Sequence, residues 1–83
     1  MTHDEIRTEL VSALRKIAPD SDPSTLDGKA DIRDALDIDS MDFLGFVTRI
    51  HERFHVDVPE RDYAKVRTLE DGIAYIASRL PPT

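Results

Sequence analysis

Cysteine is absent from all 83 residues. That excludes a disulfide framework, cysteine-ligated zinc and thiol catalysis. No serine sits in a G-x-S-x-G elbow, and there is neither a P-loop nor a dinucleotide fingerprint. Apolar runs are too short for a membrane-spanning helix, and the first residues lack the apolar stretch of a signal peptide. A cytoplasmic protein is the expectation. Basic charge is scarce: eleven Lys and Arg stand against seventeen Asp and Glu, a net of −6. Such a surface repels nucleic acid and anionic membranes, and it favours cationic partners. A chain this short cannot enclose a typical multi-residue active site, so a self-contained enzyme is not expected.

What is present suits one small domain over residues 1–83. Apolar residues make up 40% of the chain, enough for a single core. A chain of this size buries roughly 60–65% of its unfolded surface. The acidity is not spread evenly. Residues 20–39 hold seven aspartates against Lys29 and Arg33, a net of −5, while residues 40–54 balance at zero. Two readings fit this stretch: a solvated loop, because aspartate favours turns and caps, or an acidic patch that faces a partner.

Apolar spacing predicts the helices. Ile6, Leu10, Ala13, Leu14 and Ile17 recur at three and four, so a first helix is expected at about 3–18. Thr2 with Glu5 forms its capping box, and Pro19 stops it. Residues 19–38 read as a long loop with a helical turn at 31–36. Leu26, Ile32, Leu36 and Ile38 should pin that loop to the core. Asp39 is a good cap for a second helix at about 40–54, with Asp42 near the positive end of its dipole. Met41, Leu44, Val47, Ile50 and Phe54 mark its stripe, which Phe43 and Phe46 broaden. Gly45 inside it costs about 1 kcal/mol relative to alanine. Pro59 opens a short helix at about 60–65. Thr68 caps a last helix at about 69–80, ended by Pro81-Pro82, after which the tail should fray. No segment pairs as strands. The expected fold is all-α: three longer helices and one short one, with a long loop between the first two.

Several constellations fail on inspection. Asp37, Asp39 and Asp42 resemble a calcium loop, but the glycine and glutamate that an EF-hand requires fall on Asp42 and Thr48. His51 and His55 share a helical spacing without a third ligand. A helix-turn-helix reading lacks a basic recognition face. Asp39-Ser40-Met41 remains. With Asp39 capping, the Ser40 hydroxyl is left free at a helix N-terminus, a place that favours an attached phosphate.

The stretch Leu36-Asp37-Ile38-Asp39-Ser40-Met41-Asp42-Phe43-Leu44 resembles the prosthetic-group site of acyl carrier proteins, usually written Asp-Ser-Leu. Phe54 and Val56-Asp57-Val58-Pro59 resemble the close of that family's second helix. Leu69-Glu70-Asp71-Gly72-Ile73-Ala74-Tyr75-Ile76 resembles its last helix. The blocks keep the family's spacing from Ser40 onward without a gap.

The resemblance implies a non-catalytic monomeric carrier. Ser40 would accept 4′-phosphopantetheine from coenzyme A through a separate, magnesium-using phosphopantetheinyl transferase. The thiol of the arm would then hold an acyl group and present it to acyl-transferring or acyl-activating enzymes. Asp39, Met41, Asp42, Phe43 and Phe46 would face those partners. Met41, Leu44, Val47, Ile50, Phe54, Val58, Tyr63, Val66, Ile73 and Ile76 are either ordinary core or the lining of a shelter for the acyl chain, and all are expected to be buried in both cases.

The chain also departs from the family's pattern. Gly45 stands where a glutamate is expected, and Arg49, His51, Glu52 and Arg53 stand where acids often cluster. This points to a dedicated carrier in a specialised lipid or polyketide pathway, with a more hydrophobic docking surface. Two alternatives share the fold: a protein-binding module without the prosthetic group, and a peptidyl or aminoacyl carrier.

Overall fold

A computed structural model describes residues 1–80. The chain runs through α1 (His3–Ile17), α2 (Ile32–Leu36), α3 (Ser40–Phe54) and α4 (Leu69–Arg79). Short 3₁₀ helices lie at Pro23–Thr25 and Glu60–Val66. All-α architecture and the main boundaries match the reading of the sequence. The expected stop at Pro81-Pro82 and the fraying tail lie outside the described residues.

Each α-helix starts where a side chain takes up its open N–H groups. The Glu5 N–H donates to Thr2 Oγ1 at 3.1 Å, and the Thr2 N–H donates to Glu5 Oε1 at 2.9 Å. The Asp71 N–H donates to Thr68 Oγ1 at 3.0 Å. Ile6, Leu10 and Leu14 then carry the buried face of α1, which packs on both α3 and α4. Phe46, Ile50, Leu69 and Ile76 fill the space between them.

The connection between α1 and α3 is anchored along its length. Leu26, Ile32, Leu36 and Ile38 are all buried, as their hydropathy demands. The Ile32 N–H donates to the Arg67 carbonyl at 2.7 Å, and the Glu70 N–H donates to the Gly28 carbonyl at 2.9 Å. An ion pair of 2.7 Å joins Arg67 to Asp31. Four of the seven aspartates are local turn formers: Asp22, Asp27, Asp31 and Asp39 each accept a backbone N–H. Asp20, Asp34 and Asp37 are exposed. The turn-and-cap reading of the acidic stretch therefore holds for those four residues, and the other three carboxylates face solvent.

The 60–66 segment is a 3₁₀ helix held against α4. Asp62, only 7% exposed, accepts from the Tyr75 hydroxyl at 2.8 Å. Lys65 and Arg79 approach the same carboxylate at 3.5 and 3.6 Å. Arg79 also lies 3.8 Å from the centre of the Tyr75 ring. Between α1 and α3, Arg53 donates to both Glu9 oxygens, at 2.7 and 3.0 Å.

The Tyr75 hydroxyl holds the Asp62 carboxyl below its ordinary value, against the opposing effect of burial. A depressed folded-state value stabilises the fold above the unfolded value and is lost as pH falls through the folded one. The stability gap between wild type and Tyr75→Phe should be widest above about pH 5 and shrink toward pH 2–3. Melting temperatures across that range test it, and a gap that stays flat would contradict this role of Asp62.

No atom of the described residues lies within 4 Å of where a Cβ on Gly45 would stand, so packing within the bundle does not demand glycine there. Gly45→Ala should raise stability by about 0.5–1 kcal/mol in urea unfolding. A loss of stability would show that the helix interior is tighter than the structure has it.

Candidate functional site

Ser40 is the first residue of α3 and is exposed. Three local features put it there. Asp37 adopts a left-handed conformation (φ 52°, ψ 49°) and ends α2. Ile38 then turns inward and is buried, with its N–H donating to the Arg33 carbonyl at 3.1 Å. Asp39 is extended, and its Oδ1 accepts from the Asp42 N–H at 2.8 Å. Because Asp39 does the capping, the Ser40 hydroxyl has no hydrogen-bond partner among the described residues. The first N–H groups of a helix find no acceptor within the helix, and they point toward any anion placed there.

An open groove of about 460 Å³ begins at Ser40. Ser40, Met41, Phe43 and Leu44 of α3 form one side, and Glu60, Tyr63 and Ala64 form the other. Arg33 and Arg67 also line it. Arg67 is committed to Asp31, lies 5.8 Å from the centre of the Phe43 ring, and has a buried Nε without a partner. Burial pushes the Asp31 carboxyl up. The Arg67 guanidinium and the N–H groups of Asp34 and Arg33 outweigh it and hold the carboxyl below its usual range.

Two expectations need correction. Phe43 and Phe46 were expected among the partner-facing residues, but they are 4% and 0% exposed. Their rings meet at 6.0 Å inside the bundle. They lie on the α3 face that carries Val47, Ile50 and Phe54, and that face is the core. Met41 and Leu44 were both expected to be buried with the core stripe, yet they are 72% and 42% exposed, and Tyr63 of the same set is only half-buried. The i, i+3 spacing of Met41 and Leu44 puts them on one face, a signal in the sequence that the apolar count obscured. The contributions of Arg33 and Arg67 to the groove had no comparable signal, because α2 and the 60–66 segment are far apart in the chain. Of the remaining candidate residues, Asp39 is exposed and Asp42 half-buried, both beside Ser40. His51 and His55 are both exposed, and His55 is the left-handed residue that closes α3 (φ 57°).

Residues 4–76 match the family model described as a phosphopantetheine attachment site. An acyl carrier protein of Rhodococcus erythropolis is 32% identical over 75 residues, covering 90% of this chain and 81% of that protein. One from Rubrobacter xylanophilus is 26% identical over 73 residues, covering 84% and 90%. The meromycolate extension acyl carrier protein of Mycolicibacterium smegmatis is 29% identical over 75 residues, covering 90% and 75%.

The cap is what leaves Ser40 free, and it can be tested on its own. Asp39→Ala should cost about 0.5–2 kcal/mol in urea unfolding, while Asp39→Asn should keep most of the stability. Equal stability of wild type and Asp39→Ala would show that Asp39 does not hold the start of α3.

Proposed function

Because the chain belongs to the acyl carrier protein family, we propose that it carries acyl groups as thioesters on a 4′-phosphopantetheine arm joined to Ser40. The observation that carries this reading is the exposed, unpartnered hydroxyl at the start of α3. The residues present fit the group. An anion on Ser40 Oγ meets the open end of the helix, and the rest of the arm has a half-apolar groove to follow. When bound, the arm supplies a thiol for the thioester, which this chain lacks because it contains no cysteine.

The role of the protein in attachment is that of an acceptor. Ser40 Oγ forms the new bond to the pantetheine-side phosphorus and gives its proton to a base of the transferase, while the pyrophosphate P–O bond of coenzyme A breaks and adenosine 3′,5′-bisphosphate is the leaving group. Asp39 holds the first turn rigid and keeps its own carboxylate off the hydroxyl. Met41 and Leu44 give the transferase and the acyl-handling enzymes an apolar contact beside the arm, and Asp42 adds a carboxylate for basic partner residues. Rim charges of this kind set association rate and partner choice more than affinity.

The pathway we assign is a specialised lipid or polyketide one. Its support is the charge of α3, which is zero overall, with Arg49 exposed in part and Arg53 paired to Glu9. A relative named for meromycolate extension is in keeping with a lipid role.

Incubation with coenzyme A, magnesium and a promiscuous transferase tests the reading. Intact mass should rise by one phosphopantetheine in the wild type and stay unchanged in Ser40→Ala. A folded wild type that gains nothing, or a Ser40→Ala variant that gains as much, would overturn it.

A further inference from the structure

We propose that Arg33 is the residue that neutralises the phosphodiester of the arm and steers the arm into the groove between α3 and the 60–66 segment. The proposal rests on Ser40 being the point of attachment. Attachment to Ser40 Oγ fixes the phosphorus one bond from the hydroxyl. That position lies in the most acidic part of the chain. Asp34, Asp37, Asp39 and Asp42 all fall within six residues of Ser40 in sequence, and none has an ion-pair partner among the described residues. Another negative charge in that setting is disfavoured unless a cation offsets it.

Two cations line the same groove as Ser40. Arg67 is already engaged by Asp31 at 2.7 Å. Arg33 is half-buried, and no carboxylate among the described residues lies within salt-bridge distance of it. Its backbone is tied close to the start of α3, because its carbonyl accepts the Ile38 N–H at 3.1 Å. A guanidinium offers a planar fork that matches two phosphate oxygens. Pairing on that side turns the arm toward Met41, Leu44 and Tyr63 and away from the carboxylates of Asp37 and Asp42.

The test compares wild type, Arg33→Gln and Arg33→Lys, each with and without the arm. Intact mass first establishes that every variant is loaded. A wild type that fails to load would count against Ser40 as the attachment point, not against Arg33. Attachment should lower the melting temperature of Arg33→Gln by about 2–6 °C more than that of wild type at low salt. The difference should disappear in 1 M salt, where charges are screened within about 3 Å. The phosphorus-31 resonance of the loaded protein should move in Arg33→Gln and return toward the wild-type position in Arg33→Lys. Identical melting differences and identical phosphorus spectra in the three loaded proteins would overturn the proposal.

Discussion

The burial of Ile38 is the constraint on which the site depends. It lies between a left-handed residue that ends α2 and the aspartate that caps α3. Its side chain must leave water, so the chain is pulled inward there and must emerge again at once. Ser40 is where it emerges. If residue 38 were free, the acidic connection would swing as a loop and the start of α3 would fray. The hydrogen bond from Ile32 to Arg67 and the ion pair from Asp31 to Arg67 serve the same end, since they hold α2 on the 60–66 side of the bundle. An arm on Ser40 would be useful only if its root were fixed, and here an apolar anchor and a carboxylate cap hold Ser40 in place.

The helices were legible in the sequence because their signals are local. Thr2 with Glu5, Asp39 and Thr68 cap where their side-chain chemistry says they should. The four apolar residues of the acidic stretch are buried because no alternative exists for them in water. What the sequence obscured were the facings on α3. Phe43 and Phe46 looked like additions to an exposed surface because their bulk was counted without their angle. Helical geometry puts them with Val47 and Ile50, and it leaves Met41 and Leu44 outside. The groove was legible only in part: Met41, Leu44 and Tyr63 were named as possible lining of a shelter, but as buried residues and without the arginines. Its walls come from α2, α3 and the 60–66 segment, and which arginine faces it depends on how those pieces pack.

The net charge of −6 also reads differently in three dimensions. Part of the aspartate content builds turns and caps, so those carboxylates are fixed in place by the backbone. Asp34, Asp37 and Asp42 are under no such hold, and they flank the start of α3. On the rest of α3, Arg53 is drawn toward α1 by Glu9, which leaves Arg49 as the cation less engaged by its neighbours. A partner approaching Ser40 therefore meets carboxylates at one end of α3 and apolar side chains next to them.

The wall of the groove opposite α3 is built from a 3₁₀ helix and not an α-helix. A 3₁₀ helix has poorer hydrogen-bond geometry than an α-helix, and the 60–66 segment is held by the Asp62 carboxylate, the buried Val66 and the contact of Tyr63 with Phe43. Segments of this kind open as separate units well below the free energy of global unfolding. Amide hydrogens of residues 60–66 should then exchange sooner than those of α1 or α3. The molecule can thus breathe at the side where a cargo would lie while the helix that bears Ser40 stays closed.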